Sequence, residues 1–232
     1  MNIIITGASK GIGKAIAEAF AVAGNTLLIC SRNEKSLHDA VTGMQASFPD
    51  CNIKAMPADL SDPAAAKAFG HWCLSFGTPD ILVNNAGIFE SGTIQAEREG
   101  QLENLLKVNL YSAYHLTRTV MPAMIEKGRG HIFNICSIAS LNAYPNGGSY
   151  GISKFALLGF SRNLREELKM KGIKVTAVCP GATMSDSWSG SSISPERIME
   201  AADLAKMIFA AANLSNTAVV EDIVMRPQQG DL

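Results

Sequence analysis

Short apolar runs alternate with longer amphipathic stretches almost from one end of the chain to the other. Strands are predicted over 2–6, 26–30, 52–57, 81–84, 131–136, 174–179 and 218–225, with helices over 11–23, 34–48, 63–76, 101–127, 150–171 and 195–213. A strand, a helix and a further strand form the unit of a parallel sheet with crossover helices, and its repetition builds an open, doubly wound sheet. The expected fold is α/β: a single Rossmann-type domain over residues 1–232, with a seven-stranded parallel sheet flanked by helices. No internal repeat and no low-complexity linker divides the chain. Its one polar stretch rich in small residues, 185–194, has a length that suits a substrate lid.

The helix over 150–171 departs from the amphipathic pattern. Phe155-Ala156-Leu157-Leu158-Gly159-Phe160 is apolar at successive positions and hence around the whole circumference, whereas covering one sheet face needs only a stripe. The helix over 101–127 is similarly broad, through Leu110, Tyr111, Tyr114, Leu116, Val120 and Met121. Either the two helices bury each other within the chain, or both meet a second copy. A subunit interface is the favoured expectation, giving a homodimer or homotetramer.

Composition narrows the class. With 232 residues, 47% hydrophobic and 18% charged, the chain has the core material of one compact domain and too few charges for disorder. Twenty Lys and Arg against 21 Asp and Glu leave a net charge of -1, so no strong field favours nucleic acid or an anionic membrane. No segment approaches the roughly 20 apolar residues of a membrane span, and the start from Met1 to Gly7 has no signal-like leader. The expectation is a cytoplasmic protein. Cys30, Cys51, Cys73, Cys136 and Cys179 are odd in number, widely spaced and without a CxxC pair, which reads as buried free thiols. The four histidines are scattered and the acids unclustered, so no metal is expected.

Chemistry concentrates in a few places. The first predicted strand runs into Thr6-Gly7-Ala8-Ser9-Lys10-Gly11-Ile12-Gly13 and then an Ala-rich helix. Glycines there permit a tight turn and close backbone approach to a diphosphate, while the helix N-terminus offers free amide donors. The spacing is G-x-x-x-G-x-G, which differs from the G-x-G-x-x-G fingerprint. Further on, Tyr150 and Lys154 are one helical turn apart, so the ammonium can sit near the phenol and favour its ionised form. Ser137 ends the preceding strand, and strand C-termini are where open α/β sheets bind ligands.

Together these segments resemble the short-chain dehydrogenase/reductase family, in its single-domain branch with a Ser-Tyr-Lys catalytic set, over essentially the whole chain. Thr6 to Gly13 resembles the cofactor loop, Asn84-Asn85-Ala86-Gly87 the N-N-A-G turn, and Cys179-Pro180-Gly181 the P-G turn below the nicotinamide. Ser137, Tyr150 and Lys154 match the catalytic positions, and Asn109 sits where the family has its catalytic Asn. The usual Thr beyond the P-G turn is replaced by Ser185, which keeps a hydroxyl.

The resemblance implies hydride transfer between NADP(H) and a carbonyl or alcohol carbon. Tyr150 would give the proton, Ser137 would bond the carbonyl oxygen, and Lys154 would lower the phenol pKa and bind the ribose. Asn109 would hold a water behind Lys154. Cofactor contacts are expected from Gly7, Ser9, Lys10, Gly11, Ile12, Gly13, Ser31, Arg32, Asp59, Leu60, Asn85, Ala86, Gly87, Tyr150, Lys154, Pro180, Gly181, Thr183 and Ser185. Ser31 stands where an NAD-selective site places a carboxylate, and Arg32 follows it, which favours a 2′-phosphate. Substrate-side candidates are Ile88, Phe89, Ile138, Ser140, Asn142, Tyr144, Met184, Asp186 and Trp188. This mostly apolar set points to a small-molecule ketone, 3-oxoacyl or pteridine carbonyl, the last because residues 219–231 resemble the tail of sepiapterin-reductase-like members. The alternative on the same fold is a non-catalytic dinucleotide-sensing regulator, which would have no use for Ser137, Tyr150 and Lys154 together.

Overall fold

The computed structural model describes residues 1–185 and 193–231. Most of the expected lid, with Asp186 and Trp188, lies outside the described residues.

Seven strands, β1 (Asn2–Thr6), β2 (Thr26–Ser31), β3 (Asn52–Pro57), β4 (Ile81–Asn84), β5 (Gly130–Ile135), β6 (Ile173–Pro180) and β7 (Asp222–Met225), form one sheet in the order β3-β2-β1-β4-β5-β6-β7. All are parallel, and Ile4 pairs with both Leu28 and Leu82, Leu82 with Ile132, and Ile132 with Val175. That row packs into one core layer, whereas Ile3, Ile5, Leu27, Ile29, Val83 and Phe133 pack into the other. Both faces are covered, so the central strands are apolar at successive positions rather than alternating.

Helices α1 (Gly11–Phe20), α2 (Glu34–Ser47) and α7 (Ala201–Ala212) cover the Ile3 face through Ile16, Leu37 and Ile208 among others. On the Ile4 face lie α3 (Pro63–Leu74), α5 (Ser112–Lys127) and α6 (Gly148–Leu168), through Phe69, Leu116 and Leu164. A short α4 (Gln101–Leu106) leads towards α5. Local chemistry sets the ends. Asn33 caps α2 by accepting from the Ser36 N–H at 2.8 Å, and Asp62 caps α3 by accepting from the Ala64 N–H at 3.0 Å with Pro63 next in line. The chain builds outward from β1 to β3, then returns to place β4 on the other side of β1. This reversal opens a crevice at the C-terminal strand ends.

Three elements differ from the sequence expectation. The helix over 101–127 is helical throughout but contains a π turn over Lys107–Tyr111, which puts Asn109 out of the ordinary α register. The helix expected over 195–213 starts only at Ala201, because Met199 bridges to Thr183 and draws its backbone into pairing with the segment after β6. The last strand pairs only from Asp222, since the Val220 carbonyl instead accepts the Thr176 hydroxyl.

All five cysteines are buried and free. No helix among the described residues is long and apolar enough to cross a membrane. α5 packs on α3 and α6 on β6, and a Tyr114–Phe160 ring contact at 5.7 Å joins α5 to α6. Tyr111, Tyr114, Ile152 and Phe155 nevertheless remain exposed, so packing within the chain leaves the apolar surplus of both helices uncovered.

Candidate active site

A cavity of about 990 Å³ runs along the C-terminal ends of the strands. Its lining includes every residue expected at the cofactor: Gly7 and Ser9 to Gly13 on the turn after β1, Ser31, Arg32, Asp59 and Leu60 beyond β2 and β3, Asn85 to Gly87 after β4, and Pro180, Gly181, Thr183 and Ser185 after β6. Ser137, Tyr150 and Lys154 line it as well.

The turns after β1 and β4 are sewn together. Thr6 Oγ1 accepts from the Asn85 and Ala86 N–H groups, both at 2.9 Å, while Asn85 Nδ2 donates to the Thr6 and Gly7 carbonyls at 2.8 and 3.1 Å. Gly13 lies so close to this seam that a Cβ would overlap the Gly7 carbonyl and the Asn85 carboxamide. α1 starts without a side-chain cap, so its first N–H groups are available to an anion in the cavity. Arg32 is exposed at the lip. Ser31 donates to the Asn33 carbonyl at 3.2 Å, and Asp59 Oδ1 accepts from the Ser61 N–H and hydroxyl at 3.1 and 2.7 Å.

At the other end Ser137 leaves β5 in a capping box. Its Oγ accepts from the Ala139 N–H at 3.1 Å and its own N–H donates to Ser140 Oγ at 3.2 Å. Tyr150 lies on the first turn of α6 and Lys154 one turn later. Lys154 Nζ donates to the Ile135 carbonyl at 2.9 Å and stands 5.9 Å from the Tyr150 ring centre. Fully buried Asn109 is behind the wall. Its Oδ1 accepts from the Ile88 N–H at 2.8 Å, and its Nδ2 donates to the Ile88 carbonyl at 3.1 Å and to Ser153 Oγ at 3.0 Å. A Cβ on Gly87 would lie 3.1 Å from Asn109 Oδ1 and 3.6 Å from Lys154 Nζ, so this glycine backbone runs between the two side chains.

Burial sets the electrostatics of the pair. It pushes the Tyr150 phenol above its ordinary value, against a smaller lowering by the Ser137 hydrogen bond, and it holds the Lys154 ammonium below its ordinary value. The lowering of the phenol expected from Lys154 is not among the causes of its shift, which desolvation dominates. The consequence is a phenol that keeps its proton through the neutral range, the form a proton donor needs.

Around Tyr150, Phe89 packs edge-on at 4.8 Å, and Ile88, Ile138, Asn142 and Tyr144 line the same stretch of cavity. Ser140 and Met184 do not line it; Ser140 is occupied in the capping box. Sequence reasoning missed Arg226 and Asp231, which pair with each other on the cavity wall. In the sequence only the tail that carries them, 219–231, stands out. Sequence reasoning also read the cysteines solely as core, whereas Cys136 lines the cavity and its thiol shares a hydrogen bond with that of Cys179 on the next strand.

The sequence profile of the short chain dehydrogenase family matches residues 1–194. Dehydrogenase/reductase SDR family member 7B of Rattus norvegicus is 35% identical over 77% of this chain, which spans 57% of that protein's length. The sepiapterin reductase of Chlorobaculum tepidum is 30% identical over 99% of this chain and 97% of its own. Among solved structures, a metagenomic short-chain oxidoreductase in complex with NADP superposes with a TM-score of 0.85 at 30% identity, over 98% of this chain and 97% of that one.

Proposed function

The chain belongs to the short-chain dehydrogenase family, and we propose that it is an NADP(H)-dependent oxidoreductase acting on a carbonyl or alcohol carbon of a small, mostly apolar substrate. The observation that carries this reading is the meeting of Ser137, Tyr150 and Lys154 at one end of a cavity whose other end is the glycine-rich turn of β1 and α1. A nicotinamide dinucleotide bound in this cavity supplies the hydride donor or acceptor.

The residues fit that group. Gly13 lets α1 close on the Gly7 carbonyl and the Asn85 carboxamide, and the uncapped start of α1 would offer a diphosphate N–H donors. Asn85 to Gly87 and Pro180 to Ser185 would hold the nicotinamide half, and Lys154 the adjoining ribose. Ser31 and Arg32 replace the carboxylate of an NAD-selective site, and the NADP complex of the metagenomic relative supports the same preference.

Tyr150 then acts as the acid that protonates the carbonyl oxygen, and Ser137 bonds that oxygen and steadies it as charge develops. Buried Lys154, fixed by the Ile135 carbonyl, brings the only cationic charge among these catalytic side chains. Asn109 fixes the Ile88 backbone and Ser153 behind Lys154, which shapes the floor of the site. Ile88, Phe89, Ile138 and Tyr144 suit a ketone, a 3-oxoacyl group or a pteridine carbonyl, and the sepiapterin reductase relative keeps the last in the set. The exposed faces of α5 and α6 suit pairing with symmetry mates.

The test is NADPH absorbance against a panel of ketones, 3-oxoacyl thioesters and pterins, with wild type and Tyr150→Phe. Turnover should fall more than tenfold in the variant while cofactor binding stays measurable, because the phenol supplies the proton but little dinucleotide affinity. Retention of more than about a tenth of the wild-type rate would remove Tyr150 as the acid.

A further inference from the structure

Tyr150 stands on the first turn of α6, and that turn lacks a cap of its own. Gly147 precedes it with no side chain to offer, and no local side chain accepts from the opening N–H groups. The acceptor comes from 52 residues upstream: Glu97 Oε1 takes the Ser149 N–H at 2.6 Å, and Glu97 Oε2 takes the Ser149 hydroxyl. Ser149, second residue of the helix, is almost fully buried.

The approach is built into the backbone. Gly148 has φ of +36°, and a Cβ there would overlap Glu97 Oε1 and the Gly92 carbonyl. A side chain at 148 would push the carboxylate off the helix end. Further links join the Glu97 loop to the same end of α6: the Gly92 N–H donates to the Asn146 carbonyl at 2.9 Å and Phe89 packs on Tyr150, while Arg98 pairs with Glu90 at 3.0 Å inside the loop. By contrast, Lys154 is held from the sheet, by Ile135.

We propose that Glu97 is a positioning residue for the reaction: as a remote N-terminal cap of α6 it fixes the turn that carries Tyr150, without contact with the cofactor side of the cavity. The proposal rests on the reductase reading of the site. The physical basis is that the first N–H groups of a helix have no partner within the helix, and that a carboxylate there satisfies them and complements the helix dipole. Without it, residues 148–151 fray and the phenol loses its place beside Ser137, while Lys154 and the glycine-rich turn stay put.

The experiment compares wild type, Glu97→Ala, Glu97→Gln and Ser149→Ala by amide hydrogen exchange of the protein alone and by steady-state reduction with NADPH. In Glu97→Ala, exchange over residues 148–151 should quicken while that over residues 154–158 is unchanged. The same variant should lose about tenfold or more in kcat with the KM for NADPH within about twofold. Glu97→Gln, whose amide can still accept from the N–H and donate to the hydroxyl, should stay within about threefold of wild-type kcat. Unchanged exchange at 148–151 in Glu97→Ala overturns the cap, and quicker exchange with undiminished kcat overturns its part in turnover. Equal loss in the Gln and Ala variants, or a parallel loss of NADPH affinity, also overturns it. If Glu97→Ala does not fold, Ser149→Ala decides by the same exchange readout. A wild-type protein that reduces no carbonyl would sink the reductase reading, and with it the positioning role, while the exchange data still decide the cap.

Discussion

Gly13 and Asn85 touch across the seam between the two cofactor-side turns so closely that no Cβ fits between them. Asn85 is fixed there by three hydrogen bonds: its N–H donates to Thr6 Oγ1, and its Nδ2 donates to the Thr6 and Gly7 carbonyls. The glycine is thus a packing requirement of this seam.

It follows that Gly13→Ala should unsettle the β1–α1 turn. Overpacking of this kind costs about 1–3 kcal/mol, which for a chain of this size lowers Tm by roughly 2–12 °C. Dinucleotide affinity should fall in parallel, because α1 must move away from the turn. Calorimetry and a fluorescence titration with NADPH would check both, and an unchanged Tm with unchanged affinity would show that the seam yields freely.

The strands were legible because burial on both faces writes itself as short continuous apolar runs, and β1, β3 and β4 fall where the pattern places them. The chemistry was legible where it travels in local motifs: Gly7 to Gly13, Asn84 to Gly87, and Tyr150 with Lys154 all meet at one cavity. What escaped was non-local. The contact between Glu97 and Ser149 spans 52 residues and has no local spacing to betray it. Arg226 and Asp231 reach the cavity only because the chain folds back after β7. The π turn at Asn109 is invisible to a periodicity that differs from an α-helix by one residue in a single turn. The direction of the phenol pKa is hidden for a related reason: the i, i+4 spacing announces Lys154, whereas desolvation by the rest of the fold does not appear in sequence.

His131 makes stability depend on pH. Its Nε2 meets Thr176 Oγ1 at 2.7 Å, its Nδ1 is buried without a partner, and its ring stacks on Phe133 at 3.9 Å. Burial, helped by the Lys174 charge, holds its pKa down at about 3, against 6.5 for an ordinary histidine. Above pH 6.5 neither state binds the proton, so nothing is lost there. As pH falls from 6.5 towards 3 the unfolded chain takes up a proton that the folded chain refuses, and stability drops by up to about 1.4 kcal/mol per pH unit. Urea denaturation at pH 7 and pH 5 should register this drop, and His131→Gln, although less stable at pH 7, should have a flatter dependence. Equal slopes for the two proteins would refute the assignment.

Tyr111 on the π turn, Tyr114 on α5, and Ile152 and Phe155 on α6 are exposed apolar side chains that a lone chain leaves in water. Light scattering at micromolar concentration should give a dimer or tetramer. A double change, Tyr114→Glu with Phe155→Glu, should reduce its mass towards 24.7 kDa, that of one chain. A wild-type protein already at that mass would remove the interface.

On the proposed reading, the preference for NADPH over NADH rests on Ser31, the last residue of β2, and Arg32 after it. An NAD site accepts from the ribose 2′-hydroxyl with a carboxylate, and the same carboxylate would repel a 2′-phosphate. Ser31 brings no charge there and is directed to the Asn33 carbonyl, so it neither repels the phosphate nor competes with Arg32 for it. Arg32 is exposed on the cavity lip, with a planar guanidinium that can hold a phosphate through two parallel bonds. Lys10 lines the same cavity from the glycine-rich turn, which puts a second cation on the other side. A tenfold preference needs only about 1.4 kcal/mol, well within one charge-assisted contact even when solvent screens it. NADPH should therefore exceed NADH in kcat/KM by at least about tenfold, and Arg32→Ala should erode the NADPH value while leaving that for NADH nearly unchanged. Because exposed charges are screened, the preference should also narrow as salt rises from about 0.05 to 0.5 M, a trend that a preference based on shape would not show. Equal values for the two cofactors, or a variant that loses both alike, would return Arg32 to the ordinary surface.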